Sequence, residues 1–200
     1  MDIEVINEQN YPDTIFCYIK NFLNEDDINI YNNYLKSLPE FVDGGSRSQR
    51  WYHKDKKYFC PKWKERFKKW NSFEYDSNII NFQNNIIMKL KNYQVENWGI
   101  KLPQINSCLI NRYKNGNDYI RAHRDTHLTF GKFPTIINIS IGETRRLLFK
   151  KNLDDSAIEY NLESGSIFIM SGSSQELYTH EITKSDTINE RFSLTFRQVL

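Results

Sequence analysis

The sequence predicts an α+β, mainly β fold: a jelly roll built by the C-terminal half, with N-terminal helices packed outside it. Three observations carry that expectation. Two amphipathic helical patterns fall in the first hundred residues, short β-branched and aromatic runs follow one another after Leu102, and glycines punctuate those runs. Two hundred residues is ample for one core and short for two. Residues 1–200 are therefore read as a single domain, with 1–100 as helical support and cover and 101–200 as the β core.

The first helix starts after Asn24, whose side chain can cap it, and Glu25, Asp26 and Asp27 favour its positive N-terminal end. Ile28, Tyr31, Leu35 and Leu38 recur at helical spacing and Pro39 closes the segment. The glycine pair in Asp43–Ser46 marks a turn. A second helix is expected from about Asn78 to Trp98, with Phe82, Ile86, Leu90 and Tyr93 as its apolar face and Gly99 as its stop. Strands are expected at Ser107–Tyr113, Thr135–Ile141, Arg146–Lys150, Ser166–Met170 and Arg191–Val199.

Composition excludes several classes. Hydrophobic residues make up 39% and charged residues 26%, ordinary for a globular chain. Residues Met1 to Pro12 are acidic and polar, unlike a secretory signal, and no apolar run approaches the roughly 18 residues a bilayer requires. Cys17, Cys60 and Cys108 form no CxxC pair, which fits a reduced, intracellular setting without membrane attachment, nuclear or cytoplasmic. No pattern specifies an oligomer, and a monomer is the expectation.

The net charge of +2 conceals a strong asymmetry. Ser46–Trp70 holds ten Lys/Arg against Asp55 and Glu65, so it carries +8 and the remainder of the chain −6. Trp51, Tyr52, Tyr58, Phe59, Trp63, Phe67 and Trp70 are interleaved with those charges. Positive charge tracks phosphates and aromatic faces stack on unpaired bases. Trp63, Phe67 and Trp70 lie at helical spacing and are assigned to inward packing. Trp51 and Tyr52, flanked by Arg47 and Arg50, are the candidates for base contact. His53 is left as an exposed side chain or a phosphate contact.

His123 and Asp125 stand two residues apart, so on a strand both side chains leave from one face and can reach one ion. His180 follows 55 residues after Asp125. Two imidazoles and a carboxylate on one side of a metal leave the opposite positions free for oxygen and a co-substrate, as non-heme iron(II) oxygenases require. These three residues alone leave both a metal site and chance spacing open. Arg191, Ser193, Thr195 and Arg197 share one face of a strand, while Phe192, Leu194 and Phe196 share the other and can pack beneath the helices. Arginines buried in a β interior need anionic partners, and a dicarboxylate supplies one for each; exposed edge-strand arginines are the alternative. Asn111 and Tyr113 share a face of an earlier strand and can complete a polar pocket or form an ordinary polar strand end.

The order Asn111-x-Tyr113, His123-x-Asp125, His180, then Arg191 and Arg197 closing an R-x-x-x-T-F-R run, resembles the AlkB family of 2-oxoglutarate-dependent dioxygenases that repair alkylated nucleic acids. The match covers about the C-terminal half. It implies a double-stranded β-helix, iron(II) held by His123, Asp125 and His180, and 2-oxoglutarate and O2 as co-substrates. It further implies that Arg191 and Tyr113 hold the distal carboxylate of 2-oxoglutarate, with Arg197 and Asn111 near the proximal one. Ser46–Tyr52 is similar to the lid over the nucleotide, making Arg47, Gln49, Arg50, Trp51 and Tyr52 candidate substrate contacts. The sequence departs from the family at Ser193, where Asn is usual, and at His127, where an acidic residue often faces a methylated base. His127 is carried as a candidate substrate contact and leaves the particular base open.

The implied activity is oxidative demethylation of N-alkylated bases in DNA or RNA, single-stranded or with the base flipped out, releasing formaldehyde, succinate and carbon dioxide. The alternatives are an oxygenase of a protein or small molecule, and a non-catalytic jelly roll that binds nucleic acid.

Overall fold

The computed structural model describes residues 3–39, 41–63, 70–152 and 156–200. Lys64, Glu65, Arg66, Phe67, Lys68 and Lys69, part of the basic segment and of the helical spacing assigned to it, lie outside the described residues.

Twelve strands and four α-helices follow in chain order among those residues: β1 (Ile3–Glu8), β2 (Tyr11–Ile19), α1 (Glu25–Ser37), β3 (Val42–Asp43), β4 (Ser48–His53), α2 (Ser77–Asn92), β5 (Ser107–Tyr113), β6 (Ile120–His123), α3 (His127–Phe130), β7 (Ile136–Gly142), β8 (Arg145–Lys151), β9 (Ala157–Leu162), β10 (Ile167–Ser171), α4 (Ser174–Leu177), β11 (Tyr178–Ile182) and β12 (Arg191–Arg197). They form an eight-stranded sheet, β1-β2-β10-β7-β12-β5-β4-β3, and a four-stranded sheet, β6-β11-β8-β9. Every pairing between named strands is antiparallel. The two sheets form a jelly roll, and the helices add a third layer outside the larger one.

Strand alternation distributes the core over these layers. Ile15, Cys17, Ile19, Ile137, Ile139, Ile167, Ile169, Phe192, Leu194 and Phe196 join Tyr31, Leu35, Phe82, Ile86 and Leu90 of the helices in one apolar cluster. The intervening residues Phe16, Tyr18, Ile136, Phe168 and Met170 meet Leu147, Phe149, Tyr160 and Tyr178 of the smaller sheet in a second. Central strands buried on both faces read as nearly continuous apolar runs, and β10, all five of whose residues are buried, is the plainest case.

Helix α1 begins as expected, with Asn24 Oδ1 accepting from Asp27 N at 2.8 Å. Helix α2 is shorter than the spacing suggests. It ends at Asn92, Gln94 takes a left-handed conformation at φ 52°, and Val95–Trp98 is a separate 3-10 turn closed by Gly99 at φ 83°. Apolar periodicity continues across that break because Val95 is itself buried. The N-terminal half also contributes more than helices. β1, β2, β3 and β4 all belong to the larger sheet, and β1 is tied to the smaller sheet by Glu8, which accepts from Lys151 Nζ at 3.1 Å and from the Tyr178 hydroxyl.

One buried cation fixes the approach to β6. Arg145 is 1% exposed and donates to the carbonyls of Asn115, Gly116, Asp118 and Thr183 at 3.2, 3.5, 2.6 and 2.7 Å. It thereby fastens the 115–118 loop to the residue that follows β11. Gly116 is required for that closure, since a Cβ there would sit 1.9 Å from the Ser185 carbonyl oxygen. Arg145→Met should leave those carbonyls without their cationic donor and lower stability by about 3 kcal/mol, read as a reduced urea midpoint at unchanged m-value.

Candidate metal and co-substrate site

The two sheets deliver different halves of the site. On the smaller sheet, β6 and β11 are adjacent, and His123 pairs with His180 directly across the ladder. Their ring centroids are 4.3 Å apart. Asp125 lies beyond the end of β6 rather than on it, so a regular strand does not carry both members of the HxD pair. Its backbone N–H donates to Gln175 Oε1 at 2.9 Å, which fixes the turn after the strand. One ligand atom from each of His123, Asp125 and His180 lies within 4.8 Å of the others.

Electrostatics prepare these groups as ligands. Burial, helped by the neighbouring His123 imidazole, pushes His180 down to about 3, so it is neutral and able to donate a lone pair at physiological pH. Burial also lowers His123, and its Nδ1 lies 2.9 Å from the Arg121 carbonyl oxygen. Donation from Nδ1 to that carbonyl leaves Nε2 as the lone-pair nitrogen, and Nε2 is 4.0 Å from Asp125 Oδ1. Burial alone would raise the Asp125 carboxyl. The Arg197 guanidinium and the two imidazoles outweigh it and hold the group below the usual carboxylate range.

The larger sheet supplies the cations. Arg191, Ser193, Thr195 and Arg197 of β12 are buried on the face toward the smaller sheet, beside Asn111 and Tyr113 of β5. Arg191 donates to Ser140 Oγ at 2.9 Å and its guanidinium lies 5.2 Å from the Tyr113 ring centroid. Burial lowers it to about 10, which still leaves it cationic at neutral pH. Arg197 Nη2 is 3.0 Å from Asp125 Oδ2, and its guanidinium lies 4.7 Å from the Phe130 ring centroid. Nε and Nη1 of both arginines find no hydrogen-bond partner among the described residues. Four orphaned donors on two buried cations suit a small dianion. Two imidazoles and a carboxylate converging within one coordination sphere suit a divalent metal.

The triad, Arg191, Ser193, Thr195 and Arg197, with Asn111 and Tyr113, line one cavity of about 220 Å³. Arg47 enters from the β3–β4 turn and donates to Asn111 Oδ1 at 2.8 Å; Gln49 Nε2 donates to the same oxygen at 3.3 Å, and Asn111 Nδ2 donates to Ser193 Oγ at 3.4 Å. Phe59, Trp63 and Trp70 also line the cavity, with Phe59 stacked on Trp63 at 5.6 Å. These three are the aromatic residues of the basic segment that the structure brings to the site.

Other expectations for that segment are corrected. Trp51 and Tyr52 are 2% and 1% exposed. Trp51 packs edge-on against Phe59 at 4.9 Å. Tyr52 and Arg50 point to the opposite face of β4, where Arg50 Nε donates to the Tyr52 hydroxyl at 2.7 Å and its guanidinium lies 3.5 Å from the Phe73 centroid. Neighbouring residues on a strand cannot serve one pocket together. His53 is neither exposed nor at a phosphate position; it is buried, with Nδ1 accepting from Asp55 N at 2.9 Å. His127 is exposed at the start of α3 and does not line the cavity.

Sequence reading missed Asn138 and Ser140, which alternate with Ile137, Ile139 and Ile141 on β7. That alternation was the available signal, because it turns both polar side chains toward the arginines. Gln175, Arg124 and Thr126 carried no comparable pattern.

A jelly roll holding an HxD…H triad beside buried arginines defines a non-heme iron oxygenase of the 2-oxoglutarate type. The chain belongs to the 2OG-Fe(II) oxygenase superfamily, whose model matches residues 16–197, and that membership implies iron(II) and 2-oxoglutarate. It has distant homology to AlkB homologues. It is 33% identical over 124 residues to the bovine alpha-ketoglutarate-dependent dioxygenase alkB homolog 3, covering 57% of this chain and 42% of that protein. It is 29% identical over 121 residues to the DNA oxidative demethylase ALKBH2 of Arabidopsis thaliana, covering 48% and 38%. The chain thus spans about two fifths of the length of these relatives. The fold is similar to the solved structure of OsALKBH1, at TM-score 0.66, 20% identity and coverage of 98% and 100%. It is also similar to a prolyl-4-hydroxylase of Pseudomonas putida, at TM-score 0.61, 13% identity and coverage of 91% and 90%. No helix among the described residues is long and apolar enough to cross a membrane.

A divalent metal that engages His180 should stabilise the wild type by about 3 kcal/mol at a hundredfold excess over its Kd. His180→Ala should melt close to the wild-type temperature without metal and lose most of the upward shift on adding Mn(II), measured by scanning calorimetry.

Proposed function

We propose that the protein removes N-methyl groups oxidatively from bases of DNA or RNA. The observation that carries this reading is a single cavity in which the triad and the buried arginine pair lie beneath Arg47, Phe59, Trp63 and Trp70. Cations and stacked aromatic rings beside a metal suit a base attached to a phosphate chain. The similarity to alkB homolog 3 and to the DNA oxidative demethylase ALKBH2 supports the same substrate class.

In this reading His123, Asp125 and His180 hold iron(II). Arg191, anchored by Ser140 and lying against Tyr113, takes the distal carboxylate of 2-oxoglutarate. Asn111 and Arg197 lie toward the proximal carboxylate, and Ser193 supports Asn111. Arg197 also keeps Asp125 ionised and oriented for the metal. Bound iron(II), with 2-oxoglutarate and O2, supplies the oxidising equivalent. One oxygen atom enters the N-methyl C–H bond, the other enters succinate, and carbon dioxide leaves. The hydroxymethyl group then loses its hydroxyl proton as the C–N bond breaks, its electron pair returns to the ring nitrogen, and formaldehyde departs. A cationic methylated ring becomes neutral in that step, so the collapse needs no dedicated acid. The protein's share is positioning and exclusion of water.

Mass spectrometry of single-stranded oligonucleotides bearing 1-methyladenine or 3-methylcytosine tests the proposal. Incubation with protein, iron(II), 2-oxoglutarate and air should remove one methyl mass, and omission of 2-oxoglutarate should abolish the loss. Succinate formation with both oligonucleotides intact would move the substrate to another class. Arg191→Ala should raise the KM for 2-oxoglutarate by on the order of a hundredfold, since two charge-assisted hydrogen bonds are lost. A KM within twofold of wild type would remove Arg191 from the co-substrate site.

A further inference from the structure

A second, more open cavity of about 580 Å³ lies beside the first. Gly44, Gly45, Ser46 and Arg47 form one wall, and residues from Tyr119 to His123 form the other. We propose that this groove carries the sugar-phosphate chain flanking the target base, with Arg121 and Arg47 meeting phosphates and Tyr119 offering a face to the neighbouring base. The inference rests on the nucleic-acid reading above and extends it to a path for the strand.

Continuity is the first argument. Arg47, Ile120 and His123 line both cavities, so the groove opens directly onto the metal site. Arg121 precedes His123 by two residues on β6, at a place where the pairing with β11 is irregular, and is exposed to the groove rather than to the first cavity. Two residues of extended backbone, about 7 Å, separate Arg121 from the metal ligand His123.

The second argument is what the walls offer. β6 is the edge of the four-stranded sheet, and strand edges present backbone donors without a ladder partner; the facing wall is the β3–β4 turn. One backbone bond, Tyr119 N to Ser46 O at 2.9 Å, ties the two walls together. The groove between them is more open than the first cavity, which suits a chain better than an enclosed small anion.

Charge is the third. The lining residues include two arginines and no Asp or Glu. The nearest acids in sequence are engaged in their own turns: Asp43 Oδ1 accepts from Gly45 N at 2.7 Å and Asp118 Oδ2 from Lys114 N at 2.8 Å. Arg121 is exposed, and its Nε lies 3.4 Å from the Tyr119 hydroxyl. Lys184 Nζ lies 5.1 Å from the Tyr119 ring centroid, so the ring is flanked by cations. Charge to follow phosphates beside a ring to stack on a base is the pattern that holds single strands without reading sequence.

The test is fluorescence anisotropy of a labelled single-stranded 12-mer with one 1-methyladenine, titrated with Mn(II)- and 2-oxoglutarate-loaded protein across a salt series. Arg121→Glu should weaken binding at least tenfold and Tyr119→Ala about fivefold or more, while Lys91→Glu on the distant helix α2 changes it less than twofold. Arg121→Ala should make the slope of log affinity against log salt shallower by roughly 0.7, the value for one phosphate contact on a single strand. Thermal melts check that each variant folds. Wild-type affinity and slope in both Arg121 variants, with the wild type binding the 12-mer, would overturn the groove and leave the site reading standing. A wild type that binds no oligonucleotide would overturn both.

Discussion

Burying a guanidinium costs several kcal/mol unless its charge and donors are met, and β12 buries two on the same face. Arg191 and Arg197 are 1% and 6% exposed, six residues apart. Their partial compensation organises the interior. Ser140 and the Tyr113 ring meet one, Asp125 and the Phe130 ring meet the other, and two nitrogens of each find no partner among the described residues. The opposite face of the strand, Phe192, Leu194 and Phe196, lies in the apolar cluster beneath the helices. β12 therefore cannot shift to relieve its cations without opening the core. The unpaired donors are held in place, as a preformed binding site requires.

The Asp125–Arg197 pair is also the bond between the two halves of the site. Asp125 follows β6 of the smaller sheet, Arg197 ends β12 of the larger, and the 3.0 Å contact spans the interior of the jelly roll. On the small-sheet side, the His123–His180 register aligns two imidazoles by ladder geometry alone. Arg145 then fastens the loop leading into β6 to the residue after β11. It also places a third cation 5.4 Å from the Tyr113 centroid, on a ring that Arg191 approaches as well. The triad and the two buried arginines are thus fixed by different sheets and joined through the Asp125–Arg197 pair.

Much of this was legible where a period of two decides which side a residue faces. β5 and β12 were read within two residues of their ends, and the split of β12 into cationic and aromatic faces follows from alternation alone. The triad was legible as residue types, although Asp125 reaches its place through a turn after the strand. Less legible were features set by contacts distant in sequence. β1 alternates Ile3, Val5 and Asn7 with Glu4, Ile6 and Glu8, and its acidic residues obscure a strand that is defined by pairing with β2. Apolar spacing ran past the end of α2 because a left-handed Gln94 leaves no periodic mark. Trp51 and Tyr52 drew attention as an aromatic pair beside arginines. A strand sends them to opposite layers, one against Phe59 and the other against the Tyr34 hydroxyl at 3.1 Å.

The rim of the site is where this chain presents its basic, aromatic segment. A jelly roll similar to those of OsALKBH1 and of a prolyl-4-hydroxylase, at 20% and 13% identity, is a scaffold for iron chemistry and says little about what is oxidised. At the rim lie the β3–β4 turn, the aromatic group of Phe59, Trp63 and Trp70, and the edge of β6. Arg47 is where these parts meet the polar interior of the jelly roll. It lines both cavities, its charge is partly desolvated, and its Nε donates to Asn111, which in turn donates to Ser193 on β12. Arg47 thus ties the rim, through Asn111, to the strand that carries the two buried arginines.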